Sequence, residues 1–144
     1  MPADQDIGRR TGGCLCGAVR YAVEGPLRPV VMCHCTQCRR MTGHIMAATA
    51  AKRAAFRLLA ADGLVWYGSS AEARRGFCAR CGSTLFWDGD GHDYLSIAAG
   101  TLDDSTGLAI ACHIFVADKG AYYTIDDGAP QIMDGRFSVP FPPA

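Results

Sequence analysis

The sequence predicts a mainly β domain with few short helices, on three observations. Apolar residues alternate with polar ones in short runs, Gly, Pro, Asp or Ser interrupts those runs, and no stretch carries a sustained helical stripe. With 144 residues, 49% of them hydrophobic and 19% charged, the chain can close one core, so a single domain is expected over residues 1–135. Residues 136–144 contain Pro140, Pro142 and Pro143 and are expected to form an extended, proline-rich tail.

Taken in order, Val19, Tyr21 and Val23 share one face of a strand that stops at the Gly25-Pro26 turn. Further strands are expected at residues 30–33, 45–49, 64–67, 84–87, 94–98 and 109–116, several too short for helices. Residues 36–41 suit one helical turn with Thr36 as N-cap, and 103–106 suit a second. Residues 50–61 have helical composition, but Phe56, Leu58 and Leu59 form no 3.6-residue stripe, so loop or strand is expected there.

Net charge is zero, yet residues 1–80 hold 12 basic and 5 acidic side chains while residues 81–144 hold 2 and 9. Twelve of the 14 cations are arginines, which suit bidentate capture of carboxylate or phosphate. The plainer expectation is that the two halves pair on folding. A neutral balance argues against a nucleic-acid-binding zinc module, and no apolar run is long enough to span a bilayer. Met1 to Asp6 shows no export signal, so the cytoplasm, where thiols stay reduced, is the expected location.

Seven of the eight cysteines fall in three clusters: Cys14-Leu15-Cys16-Gly17, Cys33-His34-Cys35-Thr36-Gln37-Cys38 and Cys78-Ala79-Arg80-Cys81-Gly82. Cys14 and Cys16 are too close along the chain for an unstrained mutual disulfide, yet both reach one metal ion. A closed structural zinc takes four ligands, and Cys78 with Cys81 is the natural partner pair, closing a loop of about 60 residues. Gly17 and Gly82 stand where such turns need a left-handed residue.

Cys33, Cys35 and Cys38 remain, and spacing alone leaves two alternatives. Three ligands leave a position open to substrate, or the site is closed by His34, His44, His113 or Cys112 into a second inert staple. His34 suits either a hydrogen-bonding or proton-moving role behind the site or a solvent-facing position. Arg39 and Arg40 suit either a grip on a ligand carboxylate or a solvated basic edge. Cys112 and His113, neighbours on a strand, are expected to point apart, with Cys112 a buried structural thiol. Trp66, Phe77, Trp87, Tyr122 and Tyr123 read as core or cleft wall, because they do not alternate with cations as a base-stacking surface would.

The ordered set Gly12-Gly13-Cys14-Leu15-Cys16-Gly17-Ala18-Val19-Arg20-Tyr21, Cys33-His34-Cys35-Thr36-Gln37-Cys38-Arg39-Arg40, Gly76-Phe77-Cys78-Ala79-Arg80-Cys81-Gly82-Ser83, His113-Ile114-Phe115-Val116 and Ile125-Asp126-Asp127-Gly128-Ala129-Pro130 resembles a known family. It is that of the glutathione-dependent formaldehyde-activating enzymes and their relatives around centromere protein V. The resemblance implies a tent-like zinc-binding β fold related to methionine sulfoxide reductase B, with two zinc ions. It implies structural zinc on Cys14, Cys16, Cys78 and Cys81, and zinc associated with activity on Cys33, Cys35 and Cys38. Cys112 lies outside the family pattern.

The implied reaction joins glutathione, as co-substrate, to formaldehyde, a carbon-sulfur lyase activity in the reverse sense, so the expected partner is a small thiol and aldehyde adduct. Three protein thiolates already offset the metal charge, which favours binding and positioning over strong polarisation of a carbonyl. A non-catalytic two-zinc interaction domain is the main rival. Methionine sulfoxide reduction by Cys112 lacks a resolving cysteine outside the clusters.

Overall fold

A computed structural model describes residues 8–144. Among these residues ten strands form two sheets. The smaller sheet orders β1 (Arg9–Gly13), β2 (Val19–Glu24) and β5 (Phe56–Ala61) as β1-β2-β5, with both pairs antiparallel. The larger contains β3 (Val30–Cys33), β4 (Met46–Lys52), β6 (Leu64–Gly68), β7 (Ala73–Cys78), β8 (Thr84–Gly89), β9 (Tyr94–Ala98) and β10 (Ile110–Ile114). Its order is β10-β3-β4-β9-β8-β7-β6, and only β10 and β3 run parallel among the described strands.

The main core lies between the sheets. Val19, Tyr21 and Val23 are fully buried, as their alternation predicts, and meet Leu85, Phe86 and Ile97 of the larger sheet. Tyr21, Phe56 and Phe86 have ring centroids 5.3 to 5.6 Å apart, and the Tyr21 hydroxyl keeps a partner in Thr101 Oγ1 at 2.8 Å. Cys14 and Cys78 sit at the edge of this core, so the first cysteine cluster ties the smaller sheet to the larger one.

Two strands escape the sequence patterns. β1 is Arg-Arg-Thr-Gly-Gly and β7 is Ala-Arg-Arg-Gly-Phe-Cys, where charge and glycine mask the alternation. Gly76 is demanded by packing: a Cβ there would lie 3.0 Å from both Phe86 and Trp66, whose rings stack across the strand at 5.9 Å. Residues 50–61 divide into the end of β4, a 3-10 turn at Arg53–Ala55 and β5, an edge strand that leaves Leu58 and Leu59 about half exposed.

Three local expectations are corrected. The helix α1 (Thr36–Thr42) is capped by Cys35 and not by Thr36, because the Cys35 sulfur accepts the Cys38 N–H at 3.3 Å. Residues 103–106 form no helical turn; Asp103 is drawn to Arg20 at 2.5 Å, and the Asp104 carboxylate accepts the Thr106 N–H. β10 stops at Ile114 because Phe115 takes a left-handed φ of 52°, and Val116 starts a 3-10 turn.

The lopsided charge resolves as the plainer expectation had it. Arg20–Asp103, Lys52–Asp93, Arg53–Asp88 and Arg74–Asp88 each join the basic half to the acidic half. Residues 136–144 have no regular secondary structure; Phe137 and Val139 pack on Val31, Cys112 and Ile114, and Phe141 covers Lys52 Nζ at 4.5 Å.

Candidate metal centres and the cavity beside them

The first cluster is built from two turns. Cys14 and Cys16 lie between β1 and β2, while Cys78 ends β7 and Cys81 lies in the turn from it to β8. All four sulfurs fall within 4.8 Å of one another, with Cys14–Cys16 at 3.6 Å and Cys16–Cys78 at 3.7 Å. A disulfide needs about 2.05 Å, whereas four sulfurs around zinc at about 2.3 Å stand about 3.8 Å apart. The spacing fits a tetrahedral zinc.

Gly17 and Gly82 adopt φ of 83° and 79°, the left-handed conformation their turns require. The surrounding donors favour thiolate. Val19 N–H points at Cys14 Sγ (3.2 Å), and Ser83 Oγ lies 3.2 Å from Cys81 Sγ while accepting the Leu15 N–H. Ser83, with the backbone N–H groups of Cys16 and Ser83, holds the Cys81 thiol down at about 5.

The second cluster gathers Cys33 at the end of β3, Cys35 at the cap of α1 and Cys38 one turn into it, again within 4.8 Å. The Cys33 and Cys38 thiols and the Cys38 N–H hold Cys35 down at about 2, while Cys33 is pushed up by Cys35, by Cys38 and by burial. Crowded thiols divided into a ready thiolate and reluctant ones are a donor set that a soft divalent cation relieves.

Among the described residues no fourth ligand joins this group. His34 is fully buried and turned away: Nδ1 pairs with the Tyr123 hydroxyl, and Nε2 lies 2.8 Å from His113 Nδ1. His113 Nε2 in turn meets Asp127 at 2.7 Å. Burial, reinforced by His113, pushes the His34 imidazole below its usual range. His44 pairs with the Tyr122 hydroxyl, and Cys112 is buried against Val31 and Ile114, its thiol pushed up by burial. Each candidate for closing the site is therefore occupied elsewhere.

The triplet instead faces a cavity of about 590 Å³, walled by Trp87, Tyr94, Phe115 and Phe137. Sequence reasoning missed the two cations in its wall, Arg28 and Arg75, which are 3% and 4% exposed. Arg75 comes from β7; its Nη1 and Nη2 lie 3.6 and 3.7 Å from Cys38 Sγ, and Nη2 also donates to Gln37. Its Nε is buried without a partner among the described residues. No periodic signal marked Arg75, because its partner stands 37 residues earlier in the chain.

Arg39 and Arg40 do not line the cavity. At about 100° per residue, Arg40, two residues past Cys38, is turned about 200° away from it around the helix. Arg39 Nη1 donates to the Asp118 carbonyl at 3.2 Å, and Arg40 is exposed.

A family model described as "Glutathione-dependent formaldehyde-activating enzyme" matches residues 9–118. The chain is also similar to a crystal structure of a Rhodobacter sphaeroides protein from structural genomics, at 25% identity and a TM-score of 0.56. That match covers 67% of this chain and 91% of the other. No helix among the described residues is long and apolar enough to cross a membrane. Both cysteine clusters, which could each hold a zinc ion, and the strands that carry them lie within the matched residues, and the chain belongs to the family of glutathione-dependent formaldehyde-activating enzymes.

Proposed function

We propose that this protein catalyses the reversible addition of a thiol such as glutathione to formaldehyde, a carbon-sulfur lyase reaction in the cleaving direction. The observation that carries this reading is the three-cysteine group with no fourth protein ligand among the described residues, set in the wall of a cavity large enough for a tripeptide. In this reading Cys14, Cys16, Cys78 and Cys81 hold a structural zinc, and Cys33, Cys35 and Cys38 hold the one at which substrate binds. Zinc at the second group supplies positive charge that lowers the pKa of an incoming thiol.

The chain's own residues then position the reactants. The aromatic walls exclude water and hold the thiol beside the aldehyde, so that sulfur and carbonyl carbon meet in reacting geometry. The sulfur–carbon bond forms as the carbonyl π bond breaks, and the thiol proton ends on the former carbonyl oxygen. Arg75 directs two N–H groups at Cys38 and offsets the surplus negative charge of three thiolates on a divalent cation. His34, between two ligands, fixes the backbone of the loop from inside through Tyr123 and His113, a positioning role.

The experiment is the rate of S-hydroxymethyl adduct formation from glutathione and formaldehyde, followed by exchange NMR with zinc-loaded protein. Acceleration above the spontaneous rate, lost in Cys38→Ser, is expected. An unchanged rate would remove the reading and leave a structural two-zinc domain.

A further inference from the structure

Arg28 lies between β2 and β3, and its backbone is fixed to β4. Its N–H donates to Ala50 O at 3.0 Å, and its carbonyl accepts the Thr49 hydroxyl at 2.6 Å. The side chain is equally constrained. Its guanidinium stands 5.4 Å from the ring centroids of both Tyr94 and Phe137 and donates to the carbonyls of Ala48 (3.0 Å) and Pro29 (3.4 Å).

Burying a cation without a counter-charge costs several kcal/mol, and buried arginines are ordinarily paired. Arg75 has its counter-charge in the cysteine triplet. Arg28 has none: among the described residues no carboxylate pairs with it, and burial pulls its pKa down against only Tyr94 and Cys112. Among the described residues the one acidic residue in the cavity wall is Asp118, which is exposed. A rigid planar fork, held against aromatic rings and lining the cavity that the triplet also lines, is a receptor awaiting an anion of matching geometry.

We propose that Arg28 is a carboxylate receptor that restricts the cavity to anionic thiols, with the ligand's sulfur at Cys33, Cys35 and Cys38 and a carboxylate on the Arg28 guanidinium. This rests on the reading of the triplet as a thiol site, and it moves the carboxylate grip from Arg39 and Arg40 to a residue inside the cavity. Thiols that are neutral or cationic gain no such pair and leave Arg28 uncompensated, so they are disfavoured twice.

The test compares glutathione with its diethyl ester, which keeps the thiol but has no carboxylate, by titration calorimetry on the zinc-loaded protein. The ester is expected to bind at least about tenfold more weakly, as loss of a charge-assisted hydrogen-bonded pair requires. Arg28→Gln should weaken glutathione by a similar factor and the ester less than about twofold, with Arg28→Lys between them. The wild-type comparison stands even if Arg28→Gln fails to fold. S-methylglutathione, with carboxylates but no free thiol, separates the two ideas: if the thiol reading alone is wrong, glutathione leaves the charge-transfer band of the cadmium-loaded protein unchanged while S-methylglutathione still binds in an Arg28-dependent way. Equal affinity of glutathione and its ester for the wild type overturns the proposal, as does equal weakening of both ligands by Arg28→Gln, or a lack of Arg28-dependent binding by both glutathione and S-methylglutathione.

Discussion

Gly63 offers a sharp test of whether the first cluster holds its sulfurs where a zinc ion needs them. It lies in the turn between β5 and β6, and its carbonyl accepts the Ala79 N–H at 2.8 Å, which presses this turn onto the Cys78–Cys81 turn. A Cβ added at Gly63 would stand 2.6 Å from Cys78 Sγ and 3.1 Å from Ala18 Cβ, whereas ordinary contact begins at 3.4 Å. Cys78 is fully buried and its sulfur is already 3.7 Å from that of Cys16, so it can yield only by distorting the four-sulfur set. Overpacking of this kind costs about 1–3 kcal/mol, and whatever part falls on metal binding appears as about tenfold weaker zinc per 1.4 kcal/mol. Gly43→Ala is the control: Gly43 ends α1 with φ of 79° and nothing within 4 Å of a Cβ, so its cost of about 1–2 kcal/mol is purely conformational. Both variants should melt several degrees lower, but only Gly63→Ala, once loaded with zinc, should surrender metal faster than the wild type to a chromophoric chelator. A Gly63→Ala protein that melts and retains zinc like the wild type would refute the close approach and the sulfur geometry inferred from it.

Other perturbations follow from the same geometry. His34→Ala should cost about 3 kcal/mol or more in urea unfolding, because it opens a cavity and strips partners from Tyr123 and His113; a loss below about 0.5 kcal/mol would mean a solvent-facing ring. Burial alone would push the Asp88 carboxyl up, but the hydrogen bonds from Arg53 and Arg74 overcome it and hold it below the usual range. Asp88→Asn should therefore lower stability at pH 7 by about 1–2 kcal/mol. The contribution is complete above the ordinary aspartate pKa and is lost as pH falls through the lower folded value, so the two proteins should converge only in strong acid. Cys112→Ala should cost about 1–2 kcal/mol while leaving the zinc content of the purified protein unchanged. Mass spectrometry should find the wild-type Cys112 unalkylated by iodoacetamide at pH 8, since burial raises its pKa.

Much of this protein is written in local sequence. Cysteines two or three residues apart can reach one ion whatever the rest of the chain does, so Cys14, Cys16, Cys33, Cys35, Cys38, Cys78 and Cys81 were legible as clusters from spacing alone. The same holds for β2, where Val19, Tyr21 and Val23 alternate on a face that must be buried. Tertiary structure decided what depends on distant partners. Arg28 and Arg75 look like surface cations until folding lines one cavity with both. His34 could have closed the metal site or faced water, and its direction was set by His113 and Tyr123, 79 and 89 residues away. β7 became a strand because Trp66 and Phe86 close over Gly76 and Arg75 finds sulfur. Whether a charged or polar side chain can be buried depends on the partner that meets it there, and only the folded chain brings that partner within reach.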